Sequence, residues 1–380
     1  MIRYKILFLI GNYGTGGKER QLTELIRNLP KSNYEVHLFL KNDQSFFFGD
    51  IKHSLSSFYS LNKKNFSPFD FINLRGYIDS VSPNLLFSFS TVLSHYVSLL
   101  KLFGLIQTRL INSSIRDAPI KFNFFNRFDR LLYKFYNEVV SNSHAGLLAY
   151  NQLNSKGRHV LHNGYDMNRR FVFSSSKLLP SPSINDDFKV VMVARMDCDE
   201  KDQQTFILAA NKIIKKINYM RFYLIGDGHN RDYYESLVDS FRIKSHVTFL
   251  GEVDKIEPFI KSANVSVLTS GSRHGEGIPN VVLESLACGI PVIATDNGGT
   301  REILFHNSNG FLIKNGDYID LANKIIYLYN NPNVLKNFSK KGIETVKNHF
   351  SIEKMIFEFE SIITSGSSIK SMNEEINYVD

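Results

Sequence analysis

The sequence predicts an α/β fold in which two doubly wound, Rossmann-like domains face each other across a cleft. Three observations favour this architecture. The chain has 380 residues, which is enough for two hydrophobic cores. Short apolar runs alternate with helical patterns in both halves, as in parallel sheets whose strands are joined by helices. Between the halves, residues 171–187 are rich in Ser, Pro and Asp and are typical of a linker.

The first series of elements predicts a domain at residues 1–170. Residues 4–10 form an apolar run typical of a buried strand, and a glycine-rich turn separates them from a predicted helix at residues 18–29. The further strands of this domain are predicted at residues 33–40, 84–89, 108–113 and 138–143.

The second series predicts a domain at residues 186–349. Its strands are predicted at residues 188–194, 221–225, 246–250, 265–269 and 291–295. In doubly wound domains, ligands bind outside the carboxyl ends of the strands, which places a ligand in the cleft. Residues 366–380 are polar and are predicted to be a disordered tail.

The segment after residue 269 is the most informative part of the sequence. Pro279 suits the first turn of a helix, because the N–H that proline lacks has no partner there. The helix is predicted over residues 280–288, and Gly289 is suited to the left-handed conformation that ends it. Pro291 prevents the helix from continuing. A strand, a loop and a short helix are therefore expected to follow one another here.

Two carboxylates flank the start of this helix, Glu276 on the loop before it and Glu284 within it. The N–H groups around residues 278–282 and the helix dipole favour a phosphate at this end. Glu284 can accept hydrogen bonds from a vicinal diol such as a ribose, and Glu276 from hydroxyls on the far side of a diphosphate. The alternative is a solvated helix glutamate and an ordinary loop glutamate without a ligand.

This segment resembles the Glu-x7-Glu signature of the retaining glycosyltransferases of the group-1 type, glycosyltransferase family 4, and the likeness continues to Glu302. Other matches follow in family order along the chain: Gly16-Gly17-Lys18-Glu19-Arg20, Asn163-Gly164-Tyr165-Asp166, Arg195 with Lys201-Asp202, and Leu224-Ile225-Gly226-Asp227-Gly228. The resemblance covers roughly residues 4–360 and is stronger in the second half. It implies the GT-B fold, in which residues 350–365 form a helix that crosses back to the first domain.

The resemblance also implies transfer of a sugar from a nucleoside diphosphate sugar, with a UDP-sugar favoured, and retention of the anomeric configuration. Arg195 and Lys201 are then expected to stabilise the departing diphosphate, while Glu276 orients the sugar and stabilises the developing oxocarbenium ion. The remaining donor-binding residues are expected to be Gly16, Gly17, Gly277, Ile278, Pro279, Asn280, Val281 and Glu284. The first domain would receive the acceptor, a bacterial surface glycan or a polyprenyl-linked glycan.

Two other functions stay open at this point, and one departure from the family limits what can be transferred. A sugar-nucleotide epimerase can share the fold without needing an acceptor cleft, and a noncatalytic subunit could bind a nucleotide sugar without turnover. Many relatives carry a histidine pair where this chain has residues 85–90, which contain none. Candidate contacts from the first domain, each equally compatible with a structural role, are Ser88, Ser90, His95 and Arg116.

No cofactor and no metal is expected. Asp197 and Asp199 match a short metal-binding pattern, but Arg195 and Lys201 flank them and already supply the charge that a diphosphate needs. The two cysteines, Cys198 and Cys288, provide neither a disulfide framework nor a zinc quartet. The glycines of residues 11–18 fit neither the P-loop nor the dinucleotide pattern, so they predict a flexible turn at a helix start.

Positive charge is concentrated in the first half of the chain. Residues 1–180 carry a net charge of about +12 and residues 181–380 about −4, within a total of +8. A basic surface can meet nucleic acid, anionic lipid or a phosphorylated acceptor, and the absence of nucleic-acid motifs argues against the first. Residues 121–136 interleave cations with aromatic residues at helical spacing. They predict either a helix at an anionic membrane surface or a helix whose aromatic stripe packs into the core.

The apolar runs are too short for a membrane span, and the first residues do not fit a cleaved signal peptide. A cytoplasmic protein is therefore expected, with a possible peripheral position on the inner face of the plasma membrane.

Overall fold

The computed structural model describes residues 3–14, 16–43, 47–67, 69–121, 124–133, 136–171, 179, 187–197 and 200–365. It contains a seven-stranded and a six-stranded parallel sheet joined by helical crossovers, which confirms the predicted α/β architecture. We refer to the two sheets with their helices as the first and second domains. The predicted tail at residues 366–380 and most of the predicted linker at 171–187 lie outside the described residues.

The strands are β1 (Tyr4–Asn12), β2 (Tyr34–Asn42), β3 (Ser57–Ser60), β4 (Leu85–Ser88), β5 (Arg109–Ile115), β6 (Glu138–Ser141), β7 (Arg158–Val160), β8 (Phe188–Val193), β9 (Met220–Ile225), β10 (Val247–Gly251), β11 (Val265–Leu268), β12 (Val292–Thr295) and β13 (Gly310–Ile313). The helices are α1 (Gly17–Asn28), α2 (Phe48–Ile51), α3 (Asp70–Val81), α4 (Thr91–Leu102), α5 (Phe124–Leu132), α6 (His144–Ala149), α7 (Gln203–Ile214), α8 (Arg231–Ser240), α9 (Glu257–Lys261), α10 (Asn280–Ala287), α11 (Thr300–Ile303), α12 (Tyr318–Asn330), α13 (Pro332–His349) and α14 (Ile352–Thr364).

The strand order places the first strand of each domain near the middle of its sheet. The first sheet runs β3-β2-β1-β4-β5-β6-β7 and the second runs β10-β9-β8-β11-β12-β13. Residues 6–10 of β1 are 0% exposed, because helices cover both faces of the sheet. The chain reverses direction across the sheet beside β1 and β8, and such switch points are where doubly wound folds bind ligands.

The last helix packs against the first domain. Phe359 of α14 lies 6.1 Å from Phe8 and 5.2 Å from Phe87, measured between ring centroids. Two backbone hydrogen bonds guide the chain into this position, Tyr165 N–H to Phe350 O at 2.9 Å and Ile352 N–H to Tyr165 O at 3.1 Å. The amino-terminal sheet therefore buries residues from the far end of the chain.

Three strands were not anticipated, and all three lie at sheet edges. β3, β7 and β13 contain four, three and four residues. β3 and β7 are only partly buried, and β13 begins with glycine, so none has the long apolar run by which the central strands are recognised.

The basic aromatic segment at residues 121–136 has both buried and exposed aromatic or apolar side chains. Tyr133 and Tyr136, which follow α5, are buried in the core of the first domain. Phe128 and Leu131 of α5 instead point outward and are 51% and 56% exposed. Residues 122, 123, 134 and 135, and the side chains of 124–126, lie outside the described part of the chain. One part of the segment thus packs inward, and another presents apolar side chains to solvent.

Candidate active site between the two sheets

The carboxyl ends of the two sheets enclose a cavity of about 480 Å³. This volume is within the range of small-molecule sites. The cavity wall includes every site residue predicted from the sequence: Arg195, Lys201, Glu276, Gly16, Gly17, Gly277, Ile278, Pro279, Asn280, Val281 and Glu284. Residues from distant parts of the sequence therefore meet in one cavity, because they follow strands whose carboxyl ends face it.

Helix α10 begins at the cavity wall. Pro279 is extended, with φ −76° and ψ 119°, and acts as the cap residue before the helix. The N–H of Val282 donates to Pro279 O at 3.1 Å, so the unpaired N–H groups expected at residues 278–282 do not include Val282. Gly289 closes the helix at φ +75°, in the predicted left-handed conformation. The helix start is thus oriented toward the cavity by its local sequence.

Glu276 lies at the centre of a polar cluster on the second domain. The Lys201 ammonium donates to the Glu276 carboxylate, and Ser270 Oγ–H donates to it at 2.8 Å. His274 Nε2 lies 3.7 Å from its other oxygen. Burial alone would raise the pKa of Glu276, but the charges of Lys201 and His274 outweigh burial and hold that pKa well below its usual range. Glu276 is therefore an ionised carboxylate facing the cavity.

The two predicted cations have different environments. Lys201 is held by backbone pairing with Ser270, and its side chain is mostly covered. The Arg195 side chain is 63% exposed and reaches Glu200 only at 4.0 Å. A loosely held guanidinium and a fixed ammonium thus share one wall of the cavity. Such an arrangement can receive a diphosphate through one bidentate and one point-charge contact.

The short acidic pattern near Arg195 is only partly described. Asp197 accepts from the N–H of His229 at 3.2 Å and lies 3.6 Å from the imidazole of the same residue. Asp199 lies outside the described residues.

Glu284 belongs to a buried network of charges that the sequence did not reveal. Arg20 of α1 donates to Glu284 and lies 3.7 Å from Glu257 of α9. Arg169 in turn bridges Glu257 and Glu24 of α1. Burial, opposed by Arg20, raises the pKa of Glu284 to about 7. This network joins the two domains directly behind the start of α10.

Arg20 and Glu284 are 264 residues apart in sequence. Each lies in a segment that resembles a family motif, but neither motif indicates that the two residues pair. The one sequence feature that pointed to this charge network was Arg20, at the end of the glycine-rich turn. Glu257 carried no comparable signal, because it is a single acidic residue before a proline.

The glycine-rich turn packs against the start of α10. The Asn280 side chain donates to Gly17 O at 2.9 Å, and Gln21 Nε2 donates to Asn280 Oδ1 at 3.0 Å. A Cβ on Gly17 would lie 2.4 Å from the Asn280 amide nitrogen. Asn163, missed as a site residue, donates to Ile278 O at 2.8 Å and to Asn280 Oδ1 at 2.9 Å. The first domain thus contacts the predicted phosphate-binding helix through backbone and amide groups.

A second close contact between the domains runs along residues 275–277. Ala118 N–H donates to Gly275 O at 2.8 Å. A Cβ on Gly275 would lie 1.8 Å from Ala118 O, and one on Gly277 would lie 2.2 Å from Asn142 Oδ1. Neither position can hold a larger residue without moving the neighbouring domain, so both glycines are required for the cavity walls to meet.

The four candidate ligand contacts from the first domain differ in their surroundings. Arg116 lines the cavity. Ser88 donates to Ser90 O, while Ser90 Oγ accepts from the Leu93 N–H and caps α4. His95 stacks on Tyr136 with ring centroids 6.4 Å apart. Ser88, Ser90 and His95 therefore make contacts typical of structural residues.

A further cluster, formed by His144, His162 and Glu302, could in principle hold a metal ion. Glu302 accepts hydrogen bonds from the N–H groups of His144 and Ala145 at 3.0 and 2.8 Å, and His162 lies between Glu302 and Glu358. Although burial opposes it, pairing with these two carboxylates raises the pKa of His162 to about 9. His162 thus pairs with both carboxylates at the contact between the domains.

The second half of the chain is similar to known glycosyltransferases. A family model described as glycosyl transferases group 1 matches residues 176–345. The putative glycosyltransferase EpsD of Bacillus subtilis is 36% identical over 180 residues, which are 47% of this chain and 46% of EpsD. The lipopolysaccharide core biosynthesis glycosyltransferase LpsE of Rhizobium meliloti is 27% identical over 179 residues, 47% of this chain and 51% of LpsE. The chain spans about half the length of these curated relatives.

A solved structure extends the likeness to the whole fold. The crystal structure of Anabaena Alr3699/HepE in complex with UDP and glucose has a TM-score of 0.78 and 20% identity, and the match covers 96% of this chain and 100% of that chain. At this level of identity, the likeness concerns the fold alone.

Proposed function

We propose that this protein transfers a sugar from a nucleoside diphosphate sugar to an acceptor hydroxyl with retention of configuration. Residues 176–345 match the group 1 glycosyl transferases, and the chain has the GT-B fold. The observation that carries this proposal is the meeting of Lys201, Arg195, Glu276 and the start of α10 in one cavity. Cleavage of a glycosyl phosphate bond leaves negative charge on the diphosphate. Two cations and a helix start form a site matched to that charge.

Each residue has a distinct role in the proposed reaction. Lys201 and Arg195 stabilise the leaving diphosphate, and Glu284 accepts hydrogen bonds from the ribose. Glu276, which is ionised, orients the donor sugar and stabilises the positive charge that develops at its anomeric carbon. The acceptor attacks from the face of the leaving group, whose phosphate oxygen takes the acceptor's proton. The diphosphate charge is met by side chains and the helix start, so the reaction needs no metal.

We further propose a UDP-sugar as donor and a bacterial polysaccharide or lipid-linked glycan as acceptor. The UDP and glucose bound to HepE support the first choice, because that protein has the same fold. The name of LpsE, a lipopolysaccharide core glycosyltransferase, supports the second.

Nucleotide binding tests the donor assignment. UDP, GDP and ADP are compared by thermal shift and calorimetry, each with EDTA present. We expect UDP to raise the melting temperature most, since a ligand at 100 times its Kd stabilises the folded state by about 2.7 kcal/mol. Absence of a shift with any nucleoside diphosphate would contradict the proposal. Incubation with donor alone that yields an isomer would favour an epimerase, and binding without turnover against any acceptor would favour a noncatalytic subunit.

The outer face of the first domain supports a role for the membrane in presenting the acceptor. None of the helices in the described part of the chain has both the length and the hydropathy needed to cross a bilayer. Leu99 and Leu102 of α4 and Phe128 and Leu131 of α5, here called the α4–α5 face, are 51 to 78% exposed. His95 and Asp129 lie 3.7 Å apart and bring the two helices together. We propose that this face contacts an anionic lipid surface.

Liposome sedimentation tests this contact. Vesicles containing anionic lipid should sediment the wild-type protein at low salt, while neutral vesicles should not. The double change Phe128→Asp and Leu131→Asp should abolish sedimentation. Phe357→Asp is the matched control, because Phe357 is 65% exposed on α14 and lies outside the α4–α5 face. Equal sedimentation of the double variant and the wild type would show that this face does not bind the membrane.

A further inference from the structure

Arg116 is a cation of the cavity wall that the proposed reaction does not use. It follows β5 in the first domain, whereas Arg195 and Lys201 line the same cavity from the second domain. Its guanidinium lies 4.5 Å from the centre of the Phe89 ring. Nε donates to Ser113 O at 3.2 Å and Nη2 to Ser113 Oγ at 2.8 Å. The side chain is therefore held in one orientation on the wall.

The charge of Arg116 is not matched by an acidic partner in the described part of the chain. Two other cations of the cavity wall are closely paired, Lys201 with Glu276 and Arg20 with Glu284. For Arg116 the contacts are with neutral oxygens, the third being Asn163 Oδ1 at 3.5 Å from Nη1. Burial lowers the pKa of Arg116 to about 9, and the charge of Glu19 offsets only part of this effect. Glu19 itself lies 3.7 Å from the ammonium of Lys18.

A guanidinium has five N–H donors, and these three contacts account for three of them. Desolvating a cation is costly unless a charge and hydrogen bonds compensate for the lost water. An oxyanion that entered the cavity would supply both, and a planar guanidinium suits the two oxygens of a carboxylate or phosphate. An anionic ligand group would thus complete the hydrogen bonding of this guanidinium and balance its charge.

Arg116 is also well placed relative to the other site residues. A Cβ on Gly277, the neighbour of the proposed sugar-orienting Glu276, would lie 2.6 Å from the Arg116 carbonyl oxygen, and Asn163 connects the Arg116 side chain to Asn280 at the start of α10. The proposed diphosphate site already contains two cations of the second domain, Arg195 and Lys201. A second anion on the first-domain side would come from the transferred sugar or from the acceptor.

We propose that Arg116 binds an oxyanion of a substrate other than the donor diphosphate, so that the protein acts on an acidic substrate. This inference rests on the proposed function for its reaction and names the substrate class. The oxyanion is the carboxylate of a uronic acid on the donor or a phosphate on a lipid-linked acceptor. Both sources share the same recognition chemistry.

Calorimetry on the full chain distinguishes the two sources. The donor arm compares UDP-glucose with UDP-glucuronic acid. The acceptor arm compares geranyl phosphate with geraniol, with and without UDP. Arg116→Met removes the charge at similar size, and Arg116→Lys keeps it. We expect Arg116→Met to weaken the acidic ligand of one arm by about 10- to 100-fold while leaving the neutral ligand and UDP unchanged. Arg116→Lys should retain part of the affinity for the acidic ligand. If Arg116→Met folds poorly, an intermediate affinity of Arg116→Lys still supports the inference.

Two results would overturn this inference. In the first, wild-type protein shows no preference for the acidic ligand in either arm. In the second, Arg116→Met weakens UDP as much as the acidic ligand, which would make Arg116 one more diphosphate contact. Failure of the proposed function is a separate outcome, because it appears as absence of UDP binding by the wild type, and the acceptor arm without UDP still tests Arg116.

Discussion

Lys201→Ala and Glu276→Gln are each expected to lower kcat/KM for sugar transfer by about 10² to 10³-fold, the range found when one preorganised electrostatic contact to a transition state is removed. Lys201 and Glu276 form a mostly buried ion pair at the cavity, where charges act strongly because water is scarce. The measurement is steady-state transfer with the donor that nucleotide binding identifies. Wild-type turnover in either variant would remove the assigned role.

Stability has to be separated from catalysis in this test. Removing one partner of a buried ion pair deprives the other charge of its main partner, which costs about 3 to 5 kcal/mol. The double variant Lys201→Met and Glu276→Gln should recover most of that stability but none of the activity. Lys244→Ala is the control, since it removes a lysine whose pair with Asp239 is exposed to solvent, and its rate and melting temperature should match the wild type.

Gly277→Ala is expected to disrupt the closed cavity. Its Cβ would lie 2.2 Å from Asn142 Oδ1 and 2.6 Å from Arg116 O, so the first domain has to move away from the loop that carries Glu276. We expect a loss of about 1 to 3 kcal/mol in unfolding free energy, as for other overpacked sites. Transfer should fall by about 10²-fold, because a displacement of about 1 Å is enough to misplace reacting groups. Melting curves and transfer kinetics measure the two effects.

Gly76→Ala provides the comparison. Gly76 lies within α3, and a Cβ there has no atom within 4 Å. Replacing glycine by alanine inside a helix stabilises it by about 0.5 to 1 kcal/mol, so this variant should be active and slightly more stable. Unchanged melting and activity in Gly277→Ala would contradict the contact described between the domains.

The central strands were predictable because burial on both faces requires continuous apolar sequence. β1 and β8 are clear examples, and both were located from their Val, Ile and Leu content. The edge strand β3 could not be found in this way, since it holds only four residues with mixed exposure. Its position depends on pairing with β2, which is a tertiary property.

Prediction of the site was most successful where function constrains the local backbone. The sequence located α10 and the loop before it, because proline and glycine mark its two ends. The sequence did not indicate that Arg20 pairs with Glu284. Nor did it indicate that Arg116 lacks an acidic partner among the described residues. Those relationships arise only when the two domains meet, and a single sequence carries no distance between residues on different domains.

A crystal structure of the protein with UDP tests the central claim most directly. We expect the diphosphate within hydrogen-bonding distance of Arg195, Lys201 and the N–H groups that begin α10, and the ribose hydroxyls on Glu284. UDP bound outside this cavity, or a diphosphate that contacts none of these groups, would contradict the proposed function.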